Sequence, residues 1–236
     1  MPPPQPPTID LHGGSSTVKV WDLPTRLFHW SLVLGVISAV VARKFGDSML
    51  VWHMTNGMAI LVLLLFRLMW GFWGSTTARF GAFLTGPGTV IAYLRGVIRG
   101  EHPRYVGHNP AGGWSVAALL TVLTLQSVTG LFASDDILVK GPLAFLVSES
   151  TVSRLSTLHH WSFLGLIALV TVHVGAVLFY LKQGENLILP MITGFKQRAN
   201  LPPGTPPIPM KGNRLALGLF SLAAAMAWLG IAFWKW

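Results

Sequence analysis

The stretch LHHWSFLGLIALVTVHVGAVLFYL, residues 158–181, decides the fold. It holds no Asp, Glu, Lys or Arg and exceeds the roughly 20 apolar residues that a helix needs to cross a bilayer. Ionisable side chains inside such a span are costly and mark function by default, yet this one carries His159 and His173. Their spacing of 14 residues corresponds to about 21 Å along a helix axis and returns to within ~40° of the same face. His160 is turned away from His173 by roughly 220° on the same helical arithmetic. One helix face thus presents two imidazoles at two depths.

Four further stretches qualify as spans, at roughly 27–42, 50–70, 114–133 and 215–234. Composition agrees: 52% of residues are hydrophobic and 11% charged, with a mean hydropathy of +0.56, far from the balance of a soluble domain. The net charge of +9 comes from basic residues at helix ends, without the aromatic-interleaved stripe of a nucleic-acid binder. The absence of cysteine excludes disulfides, iron–sulfur clusters and covalently attached haem. Any metal must be held by histidine or carboxylate.

Loop charges orient the spans. Residues 71–112 carry Arg79, Arg95, Arg99 and Arg104 against Glu101, and residues 182–214 carry Lys182, Lys196, Arg198, Lys211 and Arg214 against Glu185. Both loops are expected in the cytoplasm, with Arg43 and Lys44 a mild violation on the other side. Loop 134–154, with Asp135, Asp136 and Glu149 against Lys140 and Arg154, is then outside, where its acidity could steer a basic partner. An N-terminus inside and five crossings put the C-terminus in the periplasm, with Trp228, Trp234 and Trp236 as interfacial anchors. Residues 1–20, rich in proline and glycine, read as a disordered tail, and 21–198 as the main transmembrane domain. The Pro-rich stretch 199–212 reads as an extended tether and 213–236 as a peripheral fifth helix. A short amphipathic interfacial helix is expected around Val90–Ile98.

Two further intramembrane histidines complete a pattern. His29 starts the first span and His173 lies far along the oppositely running fourth, so both sit in the cytoplasmic half; His53 and His159 both begin their spans at the outer side. Level histidines on facing helices are what bis-imidazole haem ligation requires, so two pairs imply two b-type haems with His29, His53, His159 and His173 as iron ligands. A lone histidine of this kind could simply bond a neighbouring helix; four in two level pairs point to metal. Arg67 follows His53 by 14 residues and returns to the same face about 21 Å deeper. Its guanidinium could satisfy a haem propionate or snorkel to the headgroups. His12, His102 and His108 lie in loops or the tail and are not expected to be ligands. Glycines 35, 57, 130, 165 and 175 could allow close approach within the membrane.

Several motifs carry a resemblance: Arg26-Leu-Phe-His29-Trp30, His53-x3-Gly57 followed by Arg67, Gly107-His108-Asn109-Pro110, Thr129-Gly130-Leu131, and His159-x13-His173. Over roughly residues 18–198 the chain resembles the bacterial cytochrome b561 family, which includes the cytochrome b subunits of membrane-bound nickel–iron hydrogenases. The tail Lys182…Asn186…Met191-x2-Gly194-x-Lys196 is similar to the family's post-helix segment. The resemblance implies the same four histidines as axial ligands and quinone-linked electron transfer across the membrane.

The expected fold is an all-α integral membrane protein: a four-helix transmembrane bundle holding two haems, plus a fifth C-terminal helix. The expected function is electron transfer in the bacterial inner membrane between the quinone pool and a periplasmic redox protein, either hydrogenase-like or a c-type cytochrome. A homodimer is compatible with this reading and nucleic acid is not a partner. The alternatives are a stand-alone superoxide:quinone oxidoreductase and a haem-free anchor or sensor subunit. No Rossmann glycine fingerprint is present.

Overall fold

A computed structural model of the chain describes residues 17–101, 103–134 and 139–232. His12, His102, Asp135, Asp136, Trp234 and Trp236 lie outside the described residues, and with them most of the acidic-loop expectation and two of the three aromatic anchors. The elements in chain order are β1 (Thr17–Lys19), α1 (Leu23–Lys44), α2 (Leu50–Trp73), α3 (Phe80–Phe83), α4 (Pro87–Ile98), α5 (Pro110–Gly130), α6 (Glu149–Lys182), α7 (Ile188–Thr193), β2 (Phe195–Gln197) and α8 (Asn213–Ala232). Helices α1, α2, α5, α6 and α8 are long and apolar enough to cross a membrane. The chain is a multi-pass membrane protein, and α4 forms where the short amphipathic helix was expected.

Caps, rather than hydropathy, set the helix starts. Asp22 accepts from Thr25 N at 2.7 Å at the head of α1, and Asn109 accepts from Gly112 N at 2.7 Å at the head of α5. In both cases the cap satisfies a first-turn donor that the helix leaves open. Ser148 does the same for Thr151 at α6, so that helix begins nine residues before the expected 158. Its first turns, through Thr157, are polar and invisible to a hydropathy window. At 1.5 Å per residue its 34 residues extend about 51 Å, well beyond a hydrocarbon core of about 30 Å.

Helix α2 is central and packs against α1, α5 and α8, while α5 packs against α6. Leu64, Phe66 and Trp70 of α2 form the core with Phe28, Leu120, Leu123 and Leu166. Helix α8 is less peripheral than its lack of histidine suggested. Ala216, Ala223 and Ala227 are buried and let it approach α2 closely, as small residues do between membrane helices, with Phe220 against Phe66 at 6.0 Å between ring centres.

One end of the molecule, called here the His29 end, gathers the start of α1, the end of α2, the start of α5 and the end of α6. A two-stranded antiparallel ribbon closes it, with Thr17 opposite Gln197 and Lys19 opposite Phe195. Residues 17–20, inside the stretch expected as tail, thus belong to the fold, with Val18 and Val20 buried. The segment 201–211 contains no helix, as its prolines require, but it is docked rather than loose. Leu201 and Thr205 are buried, Thr76 Oγ1 donates to Pro209 O at 3.1 Å, and Lys211 N donates to Ser75 Oγ at 2.9 Å.

Candidate functional site

The close contacts of α6 among the described residues are with α5, not with α1 or α2. Yet α6 carries His159 and His173, and their expected partners lie on α2 and α1. The expected pairs therefore bring together side chains of helices whose closest neighbours are other helices, around the core that Leu166 of α6 shares with Leu64 of α2 and Phe28 of α1.

At the end opposite His29, the His53 and His159 rings stand 6.4 Å apart between centres and nearly perpendicular. His53 Nδ1 lies 3.1 Å from Ala39 O and His159 Nδ1 lies 3.0 Å from Gln126 O. A carbonyl only accepts, so each Nδ1 carries the proton and each Nε2 keeps a lone pair, the tautomer of a metal-ligating histidine held by an outer hydrogen bond. Thr129 Oγ1 also approaches His159 Nδ1 at 3.2 Å. A Cβ on Gly130 would fall 3.0 Å from His159 Cε1, which accounts for threonine and glycine in that motif. His160 is exposed, in keeping with the rotation inferred from its spacing.

Gln126 was not legible as a site residue. Its side-chain nitrogen lies 3.1 Å from His159 Nε2, and its oxygen accepts from Ser162 Oγ. A metal at Nε2 would have to displace this amide.

At the His29 end, His29 lies within electrostatic reach of His173. Arg67 is 3% exposed, which removes the snorkelling alternative. Its guanidinium lies over Phe80 at 5.1 Å and Phe83 at 6.0 Å, a cation–π arrangement. Asp22 is within its electrostatic range, and the Asp22 oxygens accept from Thr25 N and Trp70 Nε1.

His108, set aside in the sequence as a loop residue, belongs to the same cluster. Its ring lies between Trp21 at 4.9 Å and Phe83 at 4.8 Å. Burial pushes its imidazole down to about 3, and the charges of Arg67, His173 and His29 add to the effect. The ring is therefore neutral, with one N–H to donate. The Gly107-His108-Asn109-Pro110 motif sets it apart from His102, but neither hydropathy nor helical spacing placed its ring in the interior.

The flanking motif residues form a brace. Arg26 donates to Ile192 O and Trp30 Nε1 to Met191 O at 3.0 Å, tying the helix of His29 to the segment after the helix of His173. Gly194 adopts a φ of +90° that favours glycine, and a Cβ there would meet Trp21 O at 2.8 Å. Its carbonyl accepts from Val20 and Trp21. Lys196, 6% exposed, pairs with Glu185 at 2.6 Å and donates to Tyr105 O at 2.9 Å.

Residues 20–194 match the family model described as prokaryotic cytochrome b561. No curated protein matches the chain.

Proposed function

We propose, for a chain that belongs to the prokaryotic cytochrome b561 family, a specific form of that family's activity. Family membership makes the protein a membrane electron-transfer cytochrome with b-type haem. On our reading it holds two haems, one between His53 and His159 and one between His29 and His173. It exchanges electrons between the quinone pool and a periplasmic redox protein, hydrogenase-like or a c-type cytochrome.

The observation that carries this reading is the His53–His159 pair. Two imidazoles sharing one metal, each nitrogen about 2 Å from it, have ring centres roughly 6 Å apart, close to the 6.4 Å found here. Beside this pair, a Cβ on Gly57, one turn after His53, would meet nothing within 4 Å, so the backbone there is open to a flat group.

Bound haem supplies a one-electron iron couple. The chain's residues do the rest. Ala39 O and Gln126 O hold the ring tautomers, and Leu64, Leu120, Leu123 and Leu166 exclude water from the core. Arg67 offers a propionate a buried cationic partner.

The cationic loops 71–112 and 182–214 favour the His29 end in the cytoplasm and the C-terminus in the periplasm of the bacterial inner membrane. A C-terminal phosphatase fusion should be active, and a fluorescent-protein fusion dark.

The purified chain should return two haem b per polypeptide in a pyridine haemochrome assay, with low-spin bis-histidine spectra. A count of one or none would sink the pairing. Superoxide-dependent quinone reduction by the purified chain alone would favour the stand-alone oxidoreductase instead.

A further inference from the structure

Among the described residues, six buried side-chain atoms lack a hydrogen-bond partner: Thr25 Oγ1, Arg26 Nε, His29 Nδ1, Arg67 Nη1, Thr85 Oγ1 and His108 Nδ1. All six belong to the His29 end. Buried polar groups are nearly always paired, so such a concentration at one end marks a partner of a definite chemistry.

Guanidinium donates only, a neutral imidazole offers one N–H, and a hydroxyl can donate. What they lack in common is an acceptor-rich anion. Asp22 lies within electrostatic range of Arg67, but its oxygens accept from Thr25 N and Trp70 Nε1, and Arg67 Nη1 is left without a hydrogen-bond partner. The ion pairs among the described residues are Lys140–Glu149 and Lys196–Glu185, so none of them neutralises Arg67.

We infer that Arg67 and His108 together form a receptor for the carboxylates of the haem at the His29 end, with Thr25 as a further donor. Both principal donors lie against Phe83. Its ring lies 4.8 Å from the His108 ring and 6.0 Å from the Arg67 guanidinium. Trp21 closes the other side of His108 at 4.9 Å, and the cap of Asn109 on α5 fixes the backbone beside it. His108 is thus a binding residue for the carboxylate, beside Arg67. The inference rests on the reading that haem sits between His29 and His173.

The test uses the full-length chain carrying His159→Ala, so that the His29 end alone takes up pigment. Produced without haem, it is loaded with haem b or with haem b dimethyl ester in vesicles of phosphatidylcholine, with or without phosphatidylglycerol. Occupancy and release half-life are read from reduced spectra.

The free acid should be retained at least tenfold longer than the ester, in both vesicle types. Arg67→Gln and His108→Leu should each remove most of that preference. His108→Gln, which keeps an N–H, should restore it. Equal retention of acid and ester overturns the inference while leaving the haem assignment standing. No uptake of either pigment overturns the His29–His173 assignment itself. Retention that follows phosphatidylglycerol content instead of the ester state gives the donors to lipid phosphate, and likewise overturns the inference.

Discussion

The two ends of the molecule solve one problem differently. At the His53 end the imidazoles are held by the chain itself, on Ala39 O and on Gln126. At the His29 end the polar atoms are buried and open, while the scaffold around them is braced by the β1–β2 ribbon, Arg26, Trp30 and Lys196. At the first end both rings already have partners in the chain, and a metal would have to displace the Gln126 amide from His159 Nε2. The second has a braced frame whose interior polar groups have no hydrogen-bond partner among the described residues.

The strongest way to break this comparison is to remove one ligand from each end. His173→Ala should empty the His29 end and His159→Ala the His53 end, each lowering the haem count from two to one. His160→Ala should leave both. Loss of both haems from either single substitution would show that the ends are not independent.

A smaller effect should come from the brace. Lys196→Met strands Glu185 at a half-buried site, where partial solvation keeps the cost below the roughly 3 kcal/mol of a fully buried pair. Hydrogen exchange should speed up in α7, β2 and the 201–211 strap, with the segment around His159 unchanged. Equal acceleration at both ends would mean that the ribbon supports the whole molecule and not one site.

How much of this was visible in the sequence follows from the range of the interactions. The four histidines stood out because an imidazole is costly to place in a span of apolar residues and is kept there mainly for function, and helical periodicity alone separated His159 from His160. The expected depth of Arg67 agrees with its place near His29, His173 and His108.

Gln126, His108 and Asp22 were not legible as site residues. Each acquires its role from a contact with residues far away in the chain, such as Ser162, Phe83 and Trp70. The strap was read as extended from its prolines, but its docking depends on single hydrogen bonds to Ser75 and Thr76, which composition does not encode. The start of α6 was misplaced because a polar helix outside the hydrocarbon leaves no hydropathy signal.

The comparison sharpens at Gly130. A Cβ there would sit 3.0 Å from His159 Cε1, tight enough to push the ring or the helix by a few tenths of an ångström. Gly130→Ala should cost about 1 kcal/mol, at the low end for overpacking. It should shift the reduced α-band of the His53-end haem and leave the other band in place. An unshifted band would mean that the His159 ring has more freedom than its bonds to Gln126 and Thr129 suggest.

The smallest effect should come from Glu149, at the head of α6. Its carboxylate pairs with Lys140 at 2.8 Å, but the two side chains are 81% and 57% exposed, so solvent screens most of the attraction. Its charge also favours the helix N-terminus, whose first-turn donor at Thr151 is already capped by Ser148. Glu149→Gln should therefore lower stability by less than about 0.5 kcal/mol and leave both haem bands unchanged. Ten residues separate Glu149 from His159 along a continuous helix. A band shift at the His53 end in this variant would mean that the polar first turns of α6 set the position of His159. The arrangement at that end would then depend on a solvent-exposed lever and not on the buried contacts of Gln126.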